Sequence, residues 1–217
     1  MYFSTRDRFI DLLRSLDGDQ ALMPVPCSPA WTVTGVASHV GGMTAEIASG
    51  RLTGLGTDER TAHQVAARAD NTLGEICDEW LGHEAPVRVA IDADPWFGAR
   101  LAADLIVHLH DVQHALGLPI DGDDEATLRA AETYRTILDQ RARDILDLEV
   151  AVEFSGDEAA PGADLILRAS AYDFLRSITG RRGRAQVEAL EWSGDPSQLL
   201  DGAWSPYGDL PVAGVEV

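Results

Sequence analysis

The sequence predicts a mainly α-helical chain, with a helical bundle over about residues 1–146 and a small α+β domain over about 147–217. Three observations predict it. Apolar residues recur at three- and four-residue spacing through most of the first two thirds, the period of an amphipathic helix. Beyond residue 147 the texture changes to short alternating runs broken by Gly, Pro and Asp, the pattern of short strands and turns. The length, 217 residues with 45% hydrophobic, suffices for one ordinary core and an appendage.

The elements follow in chain order. Phe9, Leu12, Leu13 and Leu16 share one face of a helix over 4–16, which Asp17-Gly18 ends. A Pro-rich loop, Met23-Pro24-Val25-Pro26-Cys27-Ser28-Pro29-Ala30-Trp31, precedes a second helix capped by Thr32 or Thr34. Val33, Val36, Val40, Met43 and Ile47 form its apolar stripe. Gly41-Gly42 within it costs about 1 kcal/mol per glycine against alanine and points to close approach of another helix or a ligand. A third helix is expected over 58–83 and a fourth over 96–116, stopped by Gly117 and Pro119. An acidic turn at 121–124 leads to a fifth over 126–146. Strands are expected at 149–154, 164–168 and 186–192, with a short helix at 172–179 ending at Gly180 and an irregular stretch from Trp204.

Composition narrows the function classes. The net charge of −19 repels phosphate backbones and anionic lipid, so neither nucleic acid nor membrane is expected as a partner. No apolar run approaches the ~20 residues of a membrane span, and no secretory signal opens the chain, so a cytoplasmic location is expected. The chain contains no lysine, which excludes a lysine Schiff base, a P-loop lysine and a lysine general base. Cys27 and Cys77 are too few for a disulfide framework and read as small buried hydrophobes.

The stretch Asp104-Leu105-Ile106-Val107-His108-Leu109-His110-Asp111-Val112-Gln113-His114 carries the most chemistry. Asp104 and His108, four apart on a helix, point the same way and can ligate one metal. Helical bundles build metal sites from such inward-facing imidazoles and carboxylates. His39, beside the apolar stripe of the second helix, is the natural third ligand. The plain alternative is that each histidine is a hydrogen-bonded core residue. His110 and His114 form a rival four-apart pair on a different face, and spacing alone does not choose between the pairs. Trp31 either walls a pocket or packs, and His63 reads as solvated. Arg181 and Arg182 either complement a helix C-terminus or bind a carboxylate substrate bidentately.

Taken together these segments resemble a known family. Cys27-Ser28-Pro29-Ala30-Trp31-Thr32-Val33 followed by Ala37-Ser38-His39-Val40-Gly41-Gly42 resembles the Pro-x-Trp-Thr-Val…Ala-His-Leu-Ala-Gly signature of the mycothiol-dependent maleylpyruvate isomerase family, within the DinB-like metalloenzyme superfamily. Residues 104–117 resemble its second signature, Glu-x-x-x-His-x-x-Asp…Ala-Leu-Gly. Gly180-Arg181-Arg182 followed by Ser193-Gly194-Asp195-Pro196 resembles the Gly-Arg…Gly-Asp pattern of its small C-terminal domain.

The resemblance implies a DinB-like four-helix bundle and a divalent metal, zinc by preference, on His39, Asp104 and His108. Asp104 stands where the family usually has glutamate, one methylene shorter. It also implies a catalytic role for Arg181, mycothiol as thiol cosubstrate, a small electrophile as substrate, and isomerisation or thiol S-transfer as the reaction, in a monomer or homodimer. A metal with two imidazoles and one carboxylate keeps open positions and lowers the pKa of a bound thiol or water. The competing expectation is a non-catalytic metal- or ligand-binding helical module that keeps the fold.

Overall fold

The structure is a computed structural model, described here for residues 1–54, 56–157 and 162–211. Its contacts divide the chain into two compact units, Met1–Ile120 and Asp121–Val217.

In the first unit, α1 (Tyr2–Ser15) buries Tyr2, Phe9, Ile10 and Leu13. Asp17 then caps a single turn, α2 (Gly18–Ala21), whose Gln20 side chain reaches back to the Asp17 amide. The Pro-rich stretch is a small antiparallel hairpin of β1 (Pro24–Val25) and β2 (Ser28–Thr32). Thr32, not Thr34, caps α3 (Val33–Ala48), accepting from the Gly35 amide at 3.2 Å. Thr34 instead donates to the Ala21 carbonyl. The hairpin therefore delivers Trp31 to the first turn of α3. Gly35 makes room for it, since a Cβ there would lie 3.0 Å from Trp31 Cβ.

The helix expected over 58–83 is interrupted. It divides into α4 (Asp58–Ala66) and α5 (Leu73–Gly82), and α6 (Glu84–Ala93) follows. The break has a local cause: Thr72 accepts from the Glu75 amide while the Glu75 carboxylate takes the Thr72 amide at 2.7 Å. Such a reciprocal cap starts a new helix wherever Thr-x-x-Glu precedes an apolar run. Asp94 caps α7 (Pro95–Ala115), with Pro95 in the first turn where its missing N–H costs nothing. The main packing joins α1 to α5 and α7, and α3 to α5 and α7, with α6 alongside α3 and α7. This is a four-helix bundle around Phe9, Leu13, Val36, Val40, Ile76, Trp80, Leu105 and Leu109. Among the described residues no helix is long and apolar enough to cross a membrane.

The second unit opens with α8 (Glu125–Leu146), capped by Asp124. Its partners are α9 (Ala171–Ile178), strand β3 (Val150–Glu153) and α11 (Ser197–Gly202). The division thus falls ahead of α8, whereas the periodicity, which cannot tell what a helix packs against, put it at 146/147. β3 pairs in parallel with β4 (Leu165–Arg168), and β4 pairs antiparallel with β5 (Glu191–Trp192). The strand expected over 186–192 shrinks to β5, because 184–188 form a helical turn, α10 (Arg184–Glu188). The Gln186 side chain takes the Gly183 amide at 2.9 Å, and of the alternating Val187 and Ala189 only Val187 is buried. The irregular C-terminal stretch holds from Trp204 to Pro211, and residues 212–217 lie outside the described residues.

Candidate metal centre

α3 is mostly buried, and so is the middle of α7 from Leu101 to Val112 apart from Asp104, so a polar side chain there faces the interior or its neighbours. On α3 that residue is His39; on α7 they are Asp104 and His108. The structure brings the three together: one ligand atom from each lies within 4.8 Å of the others. The imidazole centroids of His39 and His108 are 4.9 Å apart, with their planes at 74°. His108 Nε2 lies 3.8 Å from Asp104 Oδ1. A tetrahedral ion with bonds of about 2.0–2.1 Å sets its ligand atoms about 3.3 Å apart, so this pair needs about half an ångström of closure. Two imidazoles and a carboxylate are a donor set that fits zinc. The two histidines are buried and Asp104 is half-buried, so Asp104 is the member of the cluster that solvent reaches most.

Neighbouring groups surround these three side chains. Asp111, one turn beyond His108 and fully buried, places Oδ2 3.2 Å from His108 Nδ1. The approach lacks hydrogen-bond geometry, and His108 Nδ1 is a buried nitrogen without a hydrogen-bond partner among the described residues, while Nε2 faces Asp104. The Cys27 thiol, in the turn between β1 and β2, donates to Asp111 Oδ1 at 3.0 Å. Cys27 is thus a hydrogen-bond partner of the site, whereas Cys77 is the buried small hydrophobe expected, with burial pushing its thiol pKa up. His39 Nδ1 meets Gln64 Oε1 of α4 at 2.7 Å. Trp31 lies over both imidazoles, 5.2 Å from the His39 ring and 6.3 Å from that of His108, so it is a wall of the site.

Tyr2 adds a further neighbour. Burial pushes its hydroxyl up to about 12, the Trp80 indole donating to it at 3.0 Å works against that, and the Asp104 charge adds to the rise. The phenol therefore stays protonated near the Asp104 carboxylate. Asp104 and Asp111 are the two carboxylates that would offset the charge of a divalent ion at this partly apolar position.

His110 is fully buried on another face of α7, and His114 is half-buried near its end. Among the described residues neither joins a metal-binding cluster. His63 is exposed, as read. Arg181, just after α9 in the second unit, donates through Nη1 to the Thr179 carbonyl at 2.6 Å, and Arg182 Nη2 lies 3.6 Å from Asp173 Oδ1.

Gln64 was invisible to periodicity, since it sits in a helix that is otherwise polar. Its one sequence signal was the Gly41-Gly42 pair. A Cβ at Gly42 would lie 2.7 Å from Gln64 Cβ, and one at Gly41 would lie 3.2 Å from Ile76 Cγ2. The glycines let α4 and α5 seat against α3.

Residues 3–113 match the family model for the mycothiol maleylpyruvate isomerase N-terminal domain, which is half of the chain. The chain belongs to this family. A similar solved structure is that of the mycothiol-dependent maleylpyruvate isomerase, at 17% identity over 88% of this chain and 90% of that one, with a TM-score of 0.49. A histidine-to-alanine mutant of that enzyme aligns over the same shares at 16% identity and a TM-score of 0.48. No curated protein matches the chain.

Proposed function

We propose that this family member is a metal-dependent enzyme that uses a low-molecular-weight thiol, mycothiol by family, to isomerise a small electrophile or to transfer the thiol to it. The observation that carries the reading is the meeting of His39, Asp104 and His108 in one cluster beside Trp31. These three residues would hold the ion, zinc by donor set, and the ion when bound supplies Lewis acidity that keeps a thiol ionised at neutral pH. The chain's own groups supply the rest. Asp104 and Asp111 compensate positive charge, and the Trp31 indole keeps water from one side of the cluster. An arginine guanidinium suits a carboxylate-bearing substrate, and we assign that role to Arg181 on the C-terminal signature.

The alternative, a non-catalytic binding module, draws on one observation, the aspartate at 104 in place of the longer glutamate. Metal-loaded protein incubated with a panel of thiols and conjugated electrophiles, followed by mass spectrometry, separates the two. Turnover with mycothiol that is lost in His108→Ala and Arg181→Gln, but kept in Arg182→Gln, supports the enzyme. Metal binding without product from any thiol–electrophile pair supports the module.

A further inference from the structure

We propose that Glu46 and Gln64 act as a positioning relay that fixes the proton of His39 on Nδ1 and so leaves its Nε2 lone pair for the metal. The inference rests on the metal centre proposed above and adds two residues to it.

The direction originates at Glu46. It lies seven residues after His39, two turns along the same face of α3. Its Oε2 is 2.7 Å from Gln64 Nε2. A carboxylate oxygen accepts, so the Gln64 amide nitrogen must face Glu46. That leaves the amide oxygen toward His39 Nδ1, at 2.7 Å. An amide oxygen also only accepts, so the hydrogen between them belongs to His39 Nδ1. A neutral imidazole protonated on Nδ1 carries its lone pair on Nε2, the form a metal ligand needs. Arg60 Nη2, 3.0 Å from Glu46 Oε1, supplies the countercharge at the far end.

Burial makes the relay obligatory. His39 and Glu46 are 4% exposed and Gln64 1%, so water cannot take the place of a missing member. The Gln64 backbone is itself held in place: the Arg68 guanidinium donates to the Gln64 main-chain carbonyl at 3.0 Å and ion-pairs with Glu79 at 2.6 Å. The two histidines thus differ at Nδ1: that of His39 is hydrogen-bonded to a neutral amide, and that of His108 lies 3.2 Å from the Asp111 carboxylate without a hydrogen bond.

The test is a long-range proton–nitrogen correlation spectrum of metal-free protein labelled at histidine with nitrogen-15, above the imidazole titration range, together with a competitive metal titration. Wild type is expected to show His39 protonated on Nδ1. Glu46→Gln keeps the shape but lets the Gln64 amide face either way. It should move His39 toward the Nε2-protonated form and weaken metal binding by about 10- to 100-fold. Gln64→Met should do the same, while the His108 signals stay as an internal reference. A wild-type His39 protonated on Nε2 overturns the relay, as does a Glu46→Gln protein with the wild-type tautomer or the wild-type affinity. The wild-type spectrum requires no variant to fold. If wild type binds no divalent metal, the metal-centre reading fails, and the His39 tautomer still decides the relay.

Discussion

At the scale of single residues, Asp104 is the sharpest test. An aspartate reaches about one carbon–carbon bond less far than glutamate, and carboxylate–metal bonds tolerate only ~0.2 Å of error. The 3.8 Å between Asp104 Oδ1 and His108 Nε2 shows the cluster slightly open. Asp104→Glu is therefore expected to bind metal more tightly than wild type, and Asp104→Asn much more weakly, in a competitive titration. Wild-type affinity in Asp104→Asn would remove Asp104 from the ligand set. Tyr2 gives a second residue-level prediction. Its folded pKa of about 12 lies above the ordinary value of 10.0, so the folded chain holds that proton more tightly than the unfolded one. The associated stability is present in full below about pH 10 and is lost as pH rises toward 12, about 3 kcal/mol for a shift of this size. In an absorbance titration of the native protein, one of the four tyrosines should ionise late, and Tyr2→Phe should abolish that step.

At the scale of elements, the two faces of α7 make different predictions. His108 shares its face with Asp104, and His114 shares its own with His110. Replacing His114 with alanine should leave metal content near wild type, while replacing His108 should abolish it. The reverse result would move the site to the other face. On α3, the two adjacent glycines should respond unequally to alanine. Either change gains about 1 kcal/mol of helix propensity. At Gly42 the new methyl would meet Gln64 Cβ at 2.7 Å, close to the backbone of α4, and overpacking of that kind costs about 1–3 kcal/mol. At Gly41 the nearest atom is a side-chain methyl at 3.2 Å that can yield by a few tenths of an ångström. Denaturant melts should place Gly42→Ala about 1 kcal/mol below wild type and Gly41→Ala near it. Gly42→Ala should also weaken metal binding, because the atom displaced belongs to the residue that orients His39.

Across the whole chain the dominant quantity is the charge of −19, with 36 acidic residues against 17 arginines. Much of it lies on exposed helix faces, where like charges repel and salt screens them within about 10 Å at 0.1 M. Thermal stability should therefore rise with sodium chloride between low and moderate ionic strength. A melting temperature independent of salt would mean that the surface ion pairs already balance the repulsion locally. Arg129–Glu125, Arg143–Asp139 and Arg184–Glu188 are such pairs, and exposed pairs contribute only about 0–1 kcal/mol each.

The amino-acid sequence by itself determined the helices that have an uninterrupted apolar stripe, α1, α3, α7 and α8, because a 3.6-residue period is a local property. It also held the ligand candidates on α7, since residues four apart share a helix face whatever surrounds them. The choice of His108 over the rival pair needed the family signatures as well. Local chemistry misled where two signals competed. A polar, helix-favouring run over 58–83 hid the Thr72–Glu75 cap, and the alternation of Val187 and Ala189 imitated a strand. Only the tertiary structure decided what depends on residues distant in the chain. The packing of α8 with the second unit, the Cys27 thiol on Asp111 and the seating of Gln64 between His39 and Glu46 leave no period in the sequence, because packing distance is unrelated to chain distance. The Gly41-Gly42 pair registered that something approaches α3 closely, and the fold supplied what: Ile76 on α5 and Gln64 on α4.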